Sequence, residues 1–173
     1  MKTTTNFISK GVLRLPSLAL LFTAVLLALL VPQPVRAQTE KPFNANFITK
    51  FIAVVEGDFL HVTVTGPGQA SYLGNTKAFT DNQFVSLIDG SITATYTLTG
   101  ANGGTLTLDF VAQGTNVDGG ATFAGSYTIV GGTGRFSGAT GSGFLVGGAL
   151  FLTSTDGIGS FAIAGTISRP GGL

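Results

Sequence analysis

The run Tyr127-Thr-Ile-Val-Gly-Gly-Thr-Gly-Arg-Phe-Ser-Gly-Ala-Thr-Gly-Ser-Gly-Phe144 is the stretch whose reading decides the fold. A β-branched, apolar segment enters a glycine-dense turn and leaves as a second strand. Gly131, Gly132 and Gly134 permit backbone angles that other residues avoid, so the chain can reverse or bulge there. Gly138, Gly141 and Gly143 then recur where a strand resumes. Missing side chains inside a strand let a sheet bend sharply, or let a ligand or a neighbouring chain approach the backbone. The first of these, the corner of a tightly coiled sheet, is the simpler use.

Working outward, the rest of the chain repeats the same grammar. Residues 91–99 alternate with period two, with Ile92, Ala94, Tyr96 and Leu98 on one face and Thr93, Thr95, Thr97 and Thr99 on the other. After the turn residues Asn102-Gly103, the alternation returns with Leu106, Leu108 and Phe110 against Thr105, Thr107 and Asp109. Segments 47–55, 59–65, 121–130, 136–146, 149–154 and 160–168 are further predicted strands, each bounded by turn or glycine residues. Gly66-Pro67-Gly68 reads as the close of the second strand, and 72–82 as a short strand at best followed by a loop. No segment carries a helical repeat. About eight antiparallel strands in so small a domain must hide their edges, in a closed barrel or a two-sheet sandwich; glycine within strands favours the barrel.

Before this domain, Lys2, Lys10 and Arg14 precede an apolar run over 18–31, and Val35-Arg36-Ala37 supplies small residues at a cleavage site. This is the pattern of a signal peptide over 1–37; the alternative, a retained membrane anchor, wants roughly 18 to 20 apolar residues. The expected organisation is therefore a signal peptide (1–37), a flexible lead-in (38–46) and a β-barrel domain (47–173), with the mature chain secreted or periplasmic. The chain has no cysteine, so it has no disulfide framework and no lipoprotein anchor site. Four of its nine basic residues lie in the leader and all eight acidic residues lie after it. The remaining domain is mildly acidic, which argues against a nucleic-acid partner.

Chemistry-bearing motifs are few. His61 is the single histidine, which excludes a multi-histidine metal site. Glu56, Asp58 and His61 are close in sequence and would suit acid/base work, but they fall at a hairpin, where carboxylates are ordinary turn residues. There is no Gly-x-Ser-x-Gly elbow, no phosphate-binding lysine loop and no aspartate following the glycine run to bind calcium, so no metal or cofactor is expected. Arg135, alone among basic residues between Lys77 and Arg169, either holds an anion at a barrel mouth or braces its own turn. Tyr72, Tyr96 and Tyr127 either place hydroxyls in a cavity or pack in the core. Arg135, Tyr127, Tyr96 and Tyr72 are thus the candidate ligand-binding residues.

Val130-Gly131-Gly132-Thr133-Gly134-Arg135-Phe136 with Gly138-Ala139 resembles the Gly-Gly-Thr-Gly-Lys/Arg-Phe segment of dirigent proteins and the glycine turn of allene oxide cyclases. With Tyr72-Leu73-Gly74 ahead of it, the layout is most similar to secreted bacterial proteins of the allene oxide cyclase barrel-like family. The resemblance implies an eight-stranded antiparallel barrel around an apolar cavity and, from dirigent proteins, a trimer. Dirigent proteins follow the motif with Ala-Arg-Gly; this chain has Ala139-Thr140-Gly141. Three readings follow. One is a non-catalytic secreted barrel that binds a small apolar molecule or assembles with itself. The second is an isomerase or cyclase of the allene oxide cyclase or dirigent kind, acting by shape. The third, a small outer-membrane barrel, is opposed by the lack of tryptophan and the scarcity of tyrosine for interfacial girdles.

Overall fold

The computed structural model describes residues 39–168; the expected signal peptide lies outside them. Eight antiparallel strands close into one barrel in which each strand pairs with its neighbours in sequence and the last pairs with the first. They are β1 (Lys41–Glu56), β2 (Phe59–Ala70), β3 (Gly74–Ser86), β4 (Ser91–Gly100), β5 (Thr105–Val117), β6 (Gly120–Gly132), β7 (Thr140–Phe151) and β8 (Asp156–Ser168). A single turn of 3-10 helix, Gly134–Phe136, lies between β6 and β7. Closure leaves no free sheet edge, the outcome that an all-antiparallel chain of this size needs.

The alternation read from sequence sets which face is inside. Ala94, Tyr96 and Leu98 on β4 and Leu106, Leu108 and Phe110 on β5 are buried, and their threonine neighbours face outward. The interior is Phe, Leu, Ile and Tyr, unlike the polar lumen of a water-filled membrane barrel, while the outer face mixes Thr93, Thr97 and Asp109 with exposed apolar residues such as Ile48, Ile52 and Phe144.

Four boundaries differ from the sequence reading. Residues 41–46, expected as a mobile lead-in, are the first part of β1. Phe43 and Ala45 are inside the barrel, Asn44 and Asn46 face out, and Lys41 through Asn46 pair with β8. Residues 74–86 form a full strand. Gly66-Pro67-Gly68 does not end β2, which runs to Ala70; the β1–β2 ladder skips Gly66 and Pro67 and resumes at Phe47 opposite Gly68. A proline has no N–H to give to a ladder, and the sheet accommodates it by leaving out pairs there. Finally, 149–154 is not a separate strand: β7 continues through Gly147-Gly148 to Phe151.

A repeated arrangement explains why glycine sits within these strands. Tyr127 on β6 lies opposite Gly143 on β7, which lies opposite Gly165 on β8. A Cβ at Gly143 would meet the cross-strand Ala164 carbonyl and, at 2.8 Å, the Tyr127 ring, and one at Gly165 would meet the Ser142 carbonyl and, at 2.6 Å, the Tyr127 hydroxyl. The two glycines leave the slot that the ring fills. Phe47 lies over Gly68, Phe51 over Gly157 and Phe123 over Gly147 in the same way, each ring directly cross-strand from its glycine. Covering a cross-strand glycine with an aromatic ring recovers buried apolar area while the backbone bends. Two other glycines of the motif serve the turn itself: Gly134 and Gly138 have φ of 60° and 68°, left-handed values that strain other residues.

Gly165→Ala is expected to lower stability by about 1 to 3 kcal/mol, the range for overfilling a packed core, measured by denaturant unfolding. The Tyr127 hydroxyl is buried without a hydrogen-bond partner among the described residues. Tyr127→Phe should therefore leave stability unchanged or raise it by up to about 1 kcal/mol, and should lessen only part of the penalty of Gly165→Ala, because the Ser142 carbonyl also stands against the added methyl.

Candidate functional site

The barrel is filled at one end and open at the other. The filled end carries the turns β2–β3, β4–β5 and β6–β7. There Leu73, Phe136 and Ala139 are buried as a plug, and Phe136 enters because the 3-10 turn folds it inward. Above the plug, Tyr127 meets Phe43 and Phe110 edge-on, with ring centroids 6.3 and 6.5 Å apart. Phe110 stacks on Tyr96 at 4.6 Å, and Tyr96 meets Phe161 at 5.4 Å. Phe161 in turn stacks on Phe47 at 4.9 Å. Tyr96 and Phe161, the rings of this cluster that line the cavity, are the floor of the open half.

Beyond the floor is a cavity of about 380 Å³ that opens among the turns β1–β2, β3–β4, β5–β6 and β7–β8. Phe51, Val62, Val85, Ile92 and Phe123 form much of its wall, and Leu87 and Ile88 of the β3–β4 turn stand exposed at its mouth. That turn is tied to its neighbours on either side, prolonging the β2–β3 and β4–β5 ladders: Leu87 N–H donates to the Asp58 carbonyl at 2.8 Å and Gly114 N–H to the Gly90 carbonyl at 2.8 Å. The Gln113 side-chain amide donates to the Asp89 carbonyl at 2.5 Å.

The polar side chains of the lining other than Asp89 are neutral: Thr49, Gln83, Ser86, Tyr96, Asn116, Thr122 and Ser160. The Tyr96 hydroxyl donates to Gln83 Oε1 at 2.7 Å; burial raises the Tyr96 pKa, so the phenol stays protonated. The Thr49 side chain is buried in the wall facing the cavity. The only ionisable carboxylate of the lining, Asp89, belongs to the turn at the mouth. The Ser91 backbone N–H, followed by the side chains of Ser86 and Ser91, lowers its pKa, so it is charged at neutral pH. Among the described residues, no lysine, arginine or histidine lines the cavity.

Of the four residues singled out in the sequence, Tyr96 alone faces this cavity. Tyr127 lies beneath the floor, 1% exposed, with its pKa pushed up to about 12 by burial. Arg135 and Tyr72 are at the opposite, plugged end. The Arg135 guanidinium donates to the Tyr72 carbonyl and lies 5.1 Å from the Phe136 ring centroid. Of the two roles open to Arg135, the brace is the one its geometry matches: it ties the β6–β7 turn to the β2–β3 turn, where Tyr72 has a left-handed φ of 66°. Sequence reading missed Gln83 altogether, because it fell where no strand was expected.

Glu56 and His61 do come together, but on the outer surface. His61 Nδ1 is 3.1 Å from Glu56 Oε1, Nε2 is 2.7 Å from the Asp81 carbonyl, and the ring stacks on Phe84 at 4.8 Å. Both neighbours are acceptors, so the doubly protonated ring satisfies both. The Asp81 carbonyl and then Glu56 raise the His61 pKa accordingly. No group of three or more His, Asp and Glu residues able to hold a metal ion occurs among the described residues.

Comparison with known proteins adds little beyond architecture. No family model matches the chain. No curated protein matches it either. Among solved structures, one pterocarpan synthase dirigent protein aligns with a TM-score of 0.45 at 18% identity, over 80% of this chain and 91% of that one. A second pterocarpan synthase dirigent protein gives 0.44 at 15%, over 79% and 98%. The likeness is confined to the barrel.

The His61 contacts give a pH dependence of defined sign. A raised folded pKa means that the stabilisation is fully present below the unfolded value of 6.5 and fades as pH rises through the folded value. Melting temperatures across buffers spanning that range should show wild type losing stability relative to His61→Gln as pH rises. Parallel curves would show that the clamp contributes nothing.

Proposed function

We propose that this chain is an exported, non-catalytic barrel that binds one small apolar molecule in the cavity between its four open-end turns. One observation carries the reading: half of the barrel interior is packed solid with aromatic and aliphatic side chains, while the other half is a cavity of about 380 Å³ with an apolar wall and an exposed apolar lip at Leu87 and Ile88. That volume is within the range of small-molecule sites, and burial of apolar ligand surface supplies the affinity. Export rests on the basic n-region, apolar run and small-residue cleavage site within residues 1–37. An isomerase or cyclase activity in the same cavity would have to work by shape, since its lining offers no histidine or lysine and its one carboxylate is held ionised at the mouth.

The outer wall favours self-association as a second property. On β8 the outward residues Ser160, Ala162 and Ala164 are small. Ala164 is paired with Phe144 and Ala162 with Val146 on β7, and Ser160 with Ile48 on β1. Phe144 is 75% and Ile48 71% exposed. On the β1 side Ala162 and Ala164 pair with the outward Asn46 and Asn44, so the strip of small residues is bordered by large apolar side chains mainly along β7, an exposed face that a second copy can cover. The trimer implied by the resemblance to dirigent proteins would use such a face.

Nile red, a neutral solvatochromic dye, should bind the protein saturably at about one per chain, with a blue-shifted emission; Ala149→Trp, which adds bulk to the cavity wall, should abolish binding while leaving the circular dichroism unchanged. Absence of saturable binding, or binding indifferent to Ala149→Trp, would remove the cavity reading. For the outer face, sedimentation velocity should show an oligomer that Phe144→Ser/Val146→Ser converts to monomer without loss of dye binding. A monomeric wild type across micromolar concentrations would dismiss self-association.

A further inference from the structure

The cavity wall contains a hydrogen-bonding pair whose presence follows from an irregularity in β3. Along the first part of β3, the inward residues are Thr76, Ala78 and Thr80, on even positions. On β2, Val64 is opposite Thr80 but Val62 is opposite Gln83, so β3 carries one extra residue at this point. The bulge shifts the inward set to odd positions, and Gln83 and Val85 line the cavity in place of Asn82 and Phe84. Bulges re-aim side chains in this way and occur frequently beside functional sites. The bulge is also held from outside: the Asp81 carbonyl accepts from His61 Nε2, and Asn82 N–H donates to Thr80 Oγ1 at 3.0 Å.

With its Oε1 receiving the Tyr96 hydroxyl, Gln83 keeps its amide N–H groups for something else. If the amide is turned over, it donates to the Tyr96 oxygen and leaves the phenol proton instead. In either orientation the pair presents a neutral donor to the cavity, beside an aromatic floor of Tyr96 and Phe161. Nothing in the lining is a cation, and Asp89 at the mouth is an anion. Burying a carboxylate or phosphate here would leave its charge uncompensated.

We infer that the cavity selects a neutral, largely apolar molecule bearing one hydrogen-bond-accepting oxygen of the ketone type, which docks its oxygen on the Gln83–Tyr96 pair and its apolar body along the aromatic floor. This rests on the cavity-binding reading above and adds the chemical class of its ligand. A donor left without a partner when a ligand displaces water is costly, so a ligand that supplies an acceptor is preferred over its hydrocarbon isostere.

Four probes on one skeleton separate the classes: acetylphenanthrene, isopropenylphenanthrene, phenanthrene carboxylate and phenanthrylethylamine. The chain has no tryptophan, so phenanthrene emission can be titrated directly. The ketone should bind about tenfold more tightly than the hydrocarbon, the factor expected of one hydrogen bond, and the carboxylate should bind least. Gln83→Leu/Tyr96→Phe removes both donors and should equalise ketone and hydrocarbon; retained hydrocarbon affinity shows that the double variant is folded. Tyr96→Phe alone keeps the amide and should keep the preference. Equal wild-type affinity for ketone and hydrocarbon, tightest binding of the amine or the carboxylate, or a preference that survives the double variant would overturn the inference and leave the cavity reading standing. Failure of all four to bind would overturn both.

Discussion

The barrel depends on aromatic rings lying over cross-strand glycines. Eight strands closed around so small a circumference must coil strongly, and the inward side chains compete for little space. Tyr127 spanning Gly143 and Gly165 resolves this competition: two positions without Cβ atoms make room for one large ring. Phe47 over Gly68, Phe51 over Gly157 and Phe123 over Gly147 extend the same solution around the wall. The glycine content of this chain is thus largely a packing feature, since the rings recover the apolar area that glycines give up.

The same arrangement accounts for the difference between the two ends. Toward the plugged end Tyr127, Phe43, Phe136, Leu98, Leu106 and Ile129 reach the barrel axis and fill it. Toward the open end the inward positions include Ala53, Ala121, Ala149 and Gly159, too small to meet in the middle. A closed wall with an incompletely filled interior yields a cavity without any further device. Arg135 works for the plugged end, tying two turns together.

Much of the wall was legible because β4 and β5 alternate cleanly, although which of their two faces turns inward was decided only by the burial of Ala94, Tyr96, Leu98, Leu106, Leu108 and Phe110. The same logic failed on β3, whose inward residues Thr76, Ala78 and Thr80 are small or polar. Buried threonine is acceptable there because neighbouring groups satisfy it: Thr76 Oγ1 donates to the Gly74 carbonyl at 2.8 Å, and Thr80 Oγ1 accepts from Asn82 N–H. On β1, Pro42 and the outward Asn44 and Asn46 hid the inward Phe43 and Ala45. On β7, Gly147-Gly148 reads as a break only if one does not know that the Phe123 ring covers Gly147. The total of eight strands was reached while one strand was missed and another divided in two.

The sequence by itself determined an all-β chain, a closed or two-layered antiparallel sheet, and the division of its clearest strands into an apolar and a threonine face, because period-two alternation is a local property of each strand. Which end of the barrel stays open was decided only in three dimensions, since it depends on residue sizes summed across all eight strands. The placement of Gln83 beside Tyr96 was decided there too. It depends on one extra residue in β3 relative to β2, a register that exists only between paired strands. A bulge reverses the inward and outward faces of everything beyond it, and no single strand's pattern records that its neighbour has one residue fewer.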